Sequence, residues 1–402
     1  MFGATSQSPF FSRGLLVRAP RSRRGDRGPP QGRGRSDPWL KLRWAMPLTS
    51  VAFDMTFANR NQGGSGAYAR SLLASLRERD ETVPWVIAGP RRSNFVGTIR
   101  WLVRGGGKAV AEKPPDILHC PSFVTPWAIK VPVVVTVHDA ASKHFPGDHP
   151  LEWRVYVDAF MPRRLRAAAR VITGSEFGRR EVIEAFGLKP DRVVAVPYGV
   201  DSRFLNFSPS RPPTEGGGTL LFPGAPIGRK NLDSVLRCMA AANQDSLLAR
   251  TTLDISGARE EDFPSYSKLV HALGLRSRVR WLGQAPHSEM PSLFASASAV
   301  VYPSLYEGFG FPPLEAMAVG TPVVASDRGS LPEVLGDAAL LIDPTDPRAL
   351  GEALEAVLSR PEVRGRLRSS GARQARLYTW DKCAQRTTEV YKEVLAAAAV
   401  PS

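Results

Sequence analysis

The chain has few cysteines and no obvious means of holding a metal. Its three cysteines, Cys120, Cys238 and Cys383, lie far apart in 402 residues and form no C-x-x-C pair. That spacing argues against a disulfide framework or a zinc site and fits a reducing compartment. Six histidines are scattered without metal-ligand spacing, and no D-x-D occurs, so no metal-dependent site is expected. No run of eighteen apolar residues is present, which removes any expectation of a membrane-spanning helix. Hydrophobic residues at 43% and charged residues at 23% describe an ordinary globular protein, long enough for two domains with separate cores.

Positive charge is what the chain has in excess. The net charge is +15, of which residues 1–45, with ten Lys/Arg and two Asp, carry +8. This segment is rich in Arg, Gly, Pro and Ser with little to bury, so it reads as a disordered basic extension or a mis-assigned start before Met46. A basic chain can meet nucleic acid, an anionic membrane surface or an anionic substrate. Because half of the excess lies in the extension, a basic nucleic-acid-binding protein is the lesser alternative, and the folded body is expected to take no nucleic acid.

The body alternates strands and helices. Leu48–Met55 reads as a strand, and Gly63-Gly64-Ser65-Gly66 opens a helix to about Arg79 with Tyr68, Leu72, Leu73 and Leu76 at helical spacing. Those glycines let the backbone approach an anion but are not G-x-G-x-x-G, which disfavours an NAD(P) site. Pro84–Gly89, Asp116–Cys120 and Val131–Val137 read as further strands, with His138 at the ligand-facing end of the last. Leu151–Ala169 is expected to be one long helix whose arginines, Arg154, Arg163, Arg164 and Arg166, form a solvated face. Arg170–Leu188 reads as a strand followed by a helix capped by Ser175. The cluster 206–218, NFSPSRPPTEGGG, reads as a linker, and Thr219–Phe222 begins a second sheet. Arg229 and Lys230 follow on a glycine-bearing loop at a strand end, a setting suited to a diphosphate. Trp281, on the strand Val279–Gln284, reads as a core aromatic. The pattern as a whole predicts α/β architecture with doubly wound parallel sheets. The expected divisions are 46–212, 213–378 and a terminal helical segment, 379–402.

The most informative stretch is Ala299–Ser326, AVVYPSLYEGFGFPPLEAMAVGTPVVAS. A buried strand leads into a loop with Glu307, Gly308, Phe309 and Gly310, then a helix opened by Pro312-Pro313 and carrying Glu315, then a new strand from Pro322. Such a unit places ligands beyond the carboxyl ends of its strands, with acceptors for sugar hydroxyls and donors for an oxyanion.

E-G-F-G-F-P-P-L-E followed by A-x-x-x-G-x-P-V-V-A-S resembles the E-x7-E segment of retaining glycosyltransferases of family 4, also called glycosyl transferases group 1. Other segments are similar to that family in the same order: G-G-S-G with Y-A-R, T-V-H-D, Ser175-Glu176-Phe177 after a strand, V-P-Y-G-V-D, R-K-N-L and R-V-x-x-L-G. The likeness spans about residues 46–396. It implies a GT-B fold, two Rossmann-like domains facing a cleft, with the C-terminal helix crossing back to the first. It further implies a retaining transfer of a hexose from a nucleotide-diphosphate sugar, such as GDP-mannose or UDP-glucose, without metal or other cofactor. The acceptor would be a glycan, a lipid or a small molecule. Catalytic roles would fall on His138, Glu307, Lys230 and Arg229. Donor binding would fall on Gly64, Arg229, Lys230, Glu307, Gly308, Phe309, Gly310 and Glu315, with Glu307 on sugar hydroxyls and Glu315 on the ribose. Where some members carry an arginine directly after a glycine, this chain has Ala225. A sugar phosphorylase or a nucleotide-sugar epimerase of the same architecture is the alternative. A cytoplasmic location is expected, with room for a peripheral contact with an anionic membrane.

Overall fold

The computed structural model describes residues 48–59, 63–89, 97, 100–208 and 218–399. The expected basic extension, most of the 206–218 linker and residues 400–402 lie outside the described residues.

Short runs of Val, Ile, Leu and Ala are the sequence mark of parallel strands, buried on both faces inside a sheet and, here, partly exposed at its edges. In the first half they form β1 (Thr49–Asp54), β2 (Thr82–Ile87), β3 (Ile117–Cys120), β4 (Val133–Thr136), β5 (Arg170–Thr173) and β6 (Val193–Ala195). These pair in parallel in the order β2-β1-β3-β4-β5-β6. The second half supplies β7 (Thr219–Pro223), β8 (Thr252–Ser256), β9 (Val279–Gly283), β10 (Ala299–Tyr302), β11 (Val323–Ser326) and β12 (Leu340–Ile342). Their order is β12-β11-β10-β7-β8-β9, again all parallel. The second sheet reverses direction between β7 and β10. Loops leaving those neighbouring strands diverge there and open a crevice.

Helices cover both sheets. We number those that position the site α1 (Gly64–Arg77), α2 (Glu176–Phe186), α3 (Leu232–Ala240), α4 (Phe311–Ala318), α5 (Pro361–Ala375) and α6 (Trp380–Ala399). On α1 the residues at helical spacing, Tyr68, Leu72, Leu73 and Leu76, are the buried ones. Ser175 caps α2 by accepting the Gly178 N–H at 2.9 Å. The terminal helix does cross back: Val200, near the end of the first half, bridges in parallel to Thr379, and Tyr391 of α6 meets His119 of β3. One apolar cluster runs through both halves, joining Tyr198 to Phe309 and Phe204 to Phe294, with ring centroids 4.8 and 5.8 Å apart.

Two expectations need correction. The stretch Leu151–Ala169 is not one regular helix but Leu151–Val155 and Met161–Ala167 joined by a widened turn, Tyr156–Phe160. Pro162 has no N–H to offer the preceding turn, which interrupts the helical ladder. Nor are all its arginines solvated. Arg164 is half-buried, donating from Nε to Thr125 Oγ1 at 3.0 Å and from Nη2 to the Pro126 carbonyl. Trp281 is half-buried and packs on the second core beside Phe263, as read from the sequence. Among the described residues no helix is long and apolar enough to cross a membrane.

Candidate active site

The carboxyl ends of β7 and β10 open into a cavity of about 670 Å³, closed on its other side by the first half of the chain. All nine residues singled out from the sequence, Gly64, His138, Arg229, Lys230, Glu307, Gly308, Phe309, Gly310 and Glu315, line it.

The centre of the cavity is a charge cluster. Glu307, in the loop after β10, accepts on Oε1 from Arg229 Nη1 at 2.8 Å, from Lys230 Nζ at 2.7 Å and from the Tyr302 hydroxyl at 3.0 Å. Lys230 also donates to the Tyr302 hydroxyl and stands 4.3 Å from the centre of its ring. Burial by itself would raise the Glu307 carboxyl, but Arg229 and Lys230 outweigh it and hold the group down to about 2. The carboxylate is therefore ionised near neutrality. Burial lowers the Lys230 amine, against the pull of Glu307, while Glu307 and Asp139 overcome the burial of Arg229 and raise it. Two cations share the one Glu307 carboxylate, with Asp139 a further negative charge on the cavity wall. All three of these bonds to Glu307 fall on Oε1.

Around this cluster the backbone is built for close approach. A β-carbon on Gly308 would collide with the His138 carbonyl of the first half, so only glycine lets the two loops touch. Gly310 sits at φ +98°, in the left-handed region, and turns the chain into α4, whose first turn holds Pro312 and Pro313. Gly64 begins α1 with no acidic side chain in that helix's first turn, so the positive end of its dipole faces the cavity. Phe309 is buried, and its ring packs on Tyr198 and Tyr378 as part of the wall.

His138 and Glu315 carry the least expected charge states. Burial pushes the His138 ring down to about 4, only partly offset by Asp139. It is a neutral imidazole near pH 7, with Nδ1 3.0 Å from the Tyr198 hydroxyl. Burial, then Asp201, raises the Glu315 carboxyl to about 7, with Arg203 opposing. Asp201 is itself clasped by Arg203 through two contacts of 3.0 and 2.7 Å.

Several residues of this region carried no sequence signal. Tyr302 read only as the apolar end of a strand; its place at the carboxyl end of β10 was the available clue. Contacts between the halves were equally hidden. Asp148 accepts the backbone N–H groups of Gly228 at 3.0 Å and Arg229 at 3.2 Å. Glu333 accepts those of Glu176 and Phe177 at 2.8 and 2.9 Å, the first amides of α2. Ser175 donates to the Gly308 carbonyl at 2.7 Å, and the Tyr306 hydroxyl accepts the Ala140 N–H at 3.0 Å. Ser175 and Glu176 thus join the two halves structurally. Among the described residues no three His, Cys, Asp or Glu side chains gather in a way that could hold a metal.

Comparison with known proteins agrees with this geometry. The family model described as glycosyl transferases group 1 matches residues 206–374, and that described as glycosyltransferase family 4 matches residues 62–204. The chain is 32% identical to O-antigen chain mannosyltransferase B of Escherichia coli over 342 residues, covering 83% of this chain and 86% of that protein. It is 30% identical to MMP alpha-(1->4)-mannosyltransferase of Mycolicibacterium hassiacum, covering 67% of each. Among solved structures, HepE from Anabaena in complex with UDP and glucose superposes with a TM-score of 0.69 at 18% identity, over 86% of this chain and 100% of that one, which speaks for the fold. Two doubly wound sheets around one cavity, with these matches across both, make the chain a member of glycosyltransferase family 4 and a glycosyltransferase of the GT-B fold.

Proposed function

We propose that this glycosyltransferase moves a hexose from a nucleotide-diphosphate sugar, such as GDP-mannose or UDP-glucose, to a glycan, lipid or small-molecule acceptor, with retention and without a metal ion. One observation carries the reading: Arg229 and Lys230, held by Glu307 at the reversal between β7 and β10, face the same cavity as His138. Two relatives named as mannosyltransferases favour a mannosyl donor.

When the bond between the anomeric carbon and the diphosphate oxygen breaks, negative charge grows on the leaving diphosphate. Fixed cations can meet that charge without reorganising, at roughly 3–4 kcal/mol per preorganised donor. Arg229, Lys230 and the first amides of α1 fill this role. Glu307 holds both cations through Oε1 and accepts from a sugar hydroxyl, while Glu315 faces the ribose. Neutral His138 serves as a hydrogen-bond partner of the sugar. The acceptor hydroxyl attacks the face that the diphosphate leaves, and its proton passes to a diphosphate oxygen as the new glycosidic bond forms.

The test is a panel of nucleotide sugars, read by thermal shift and by turnover, with and without a chelator. Turnover of one donor that persists in chelator, and a product with the donor's anomeric configuration by NMR, is the expected result. Activity that disappears with chelator and returns with magnesium, or an inverted product, overturns the corresponding part.

A further inference from the structure

A second hollow, of about 580 Å³, lies in the first half of the chain at the amino ends of β4 and β5. Four elements meet there. Arg164 comes from the helix Met161–Ala167, Arg170 from the first position of β5, Arg192 from the turn before β6, and Val394 and Ala398 from α6. No aspartate or glutamate is among the lining residues.

The arginines are held together by neutral oxygens. Arg170 Nη1 and Arg192 Nη1 both donate to the Ala169 carbonyl, at 3.0 and 3.4 Å. Arg164 is turned inward by Thr125 and Pro126. Among the described residues none of the three is ion-paired with a carboxylate within 4 Å. Two guanidiniums converging on one neutral acceptor repel each other, and an anion between them relieves that repulsion. The planar fork of a guanidinium matches the oxygens of a phosphate. Val394, Ala398 and Val131 give the same hollow an apolar wall.

We propose that this hollow is a binding site for a phosphate group, separate from the nucleotide-sugar cavity. The phosphate could be delivered by a soluble phosphate or by the headgroup of an anionic lipid, since both present the same oxygens to the arginines.

The experiment uses the full chain, inorganic phosphate as the probe, and three proteins: wild type, Lys230→Ala, and Arg170→Ala with Arg192→Ala. Phosphate is expected to raise Tm in wild type and in Lys230→Ala, and to bind about tenfold more weakly by calorimetry in the double variant. Should the double variant not fold, Arg192→Gln alone, in an exposed turn, carries the same comparison. Sedimentation with phosphatidylcholine vesicles, with and without phosphatidic acid, distinguishes the sources. Retention that needs both phosphatidic acid and the arginines assigns a lipid headgroup, and phosphate binding without retention assigns a soluble phosphate. The proposal is overturned by no response to phosphate in wild type, or by a response abolished in Lys230→Ala. It is equally overturned by a double variant that is less stable yet responds to phosphate as before, since the arginines then only complement the carbonyl end of α6. Because Lys230→Ala tests the other cavity, failure here leaves the transferase reading untouched.

Discussion

Lys230 Nζ lies 2.7 Å from Glu307 Oε1 although 77 residues separate them in the chain. Each is placed by its own strand end, and the pairing exists only because β7 and β10 are neighbours. Removing Lys230 leaves Glu307 paired with Arg229, whereas removing the charge of Glu307 leaves two buried cations side by side. Lys230→Ala is therefore expected to fold and lose roughly a hundredfold or more in kcat. Glu307→Gln is expected to lose activity and in addition about 3–5 kcal/mol of stability. Turnover with the active donor and thermal melts of both variants check this; equal melting of the two would contradict it.

Glu315 makes stability fall as pH rises. Its carboxyl titrates near 7 in the folded protein, above its ordinary value of 4.5, so the folded state holds a proton that the unfolded state has released between those values. The contribution is present below about 4.5 and is lost as pH climbs through 7. Glu315→Gln, which stays neutral, should gain on the order of 2 kcal/mol relative to wild type on going from pH 5 to pH 8. Melting curves across that range decide; parallel curves for the two proteins refute the shift.

His119 acts in the opposite sense. Its ring is bonded to Tyr391 of α6 at 2.5 Å and to Thr136 at 2.9 Å, and burial pushes it down to about 3. Stability from this neutral ring is full above its ordinary value of 6.5 and is lost as pH falls toward 3. His119→Ala removes both bonds and opens a cavity, for an expected cost of about 2–4 kcal/mol. Hydrogen exchange should show α6 less protected in the variant; unchanged protection there would rule out the tether.

Asp148 and Glu333 hold the two halves together through backbone amides. Asp148 is half-buried and Glu333 exposed, and each carboxylate sits on paired N–H groups, a contact of about 0.5–1 kcal/mol. Asp148→Asn combined with Glu333→Gln should widen the cleft, enlarging the radius of gyration in small-angle scattering while leaving the melting temperature nearly unchanged. An unaltered scattering curve would mean that the aromatic contacts alone set the closure.

Much of the site was legible before any coordinates. Strand ends could be placed from apolar runs, loops from glycine and proline, and the cation pair from its position after β7, because each signal lies within a few neighbouring residues. The charge states were not legible. Nothing local to His138 says that it is buried beside Tyr198, or local to Glu315 that Asp201 lies near.

By itself, then, the sequence determined the order of strands and helices, the two-sheet architecture and the residues brought to the strand ends, since periodicity and turn chemistry are short-range. Tertiary structure alone decided that Glu307 serves two cations at once, that Asp148 and Glu333 span the cleft, and that three arginines from separate elements share one hollow. Such contacts join residues tens of positions apart, and their energies depend on burial and distance, which no local pattern records.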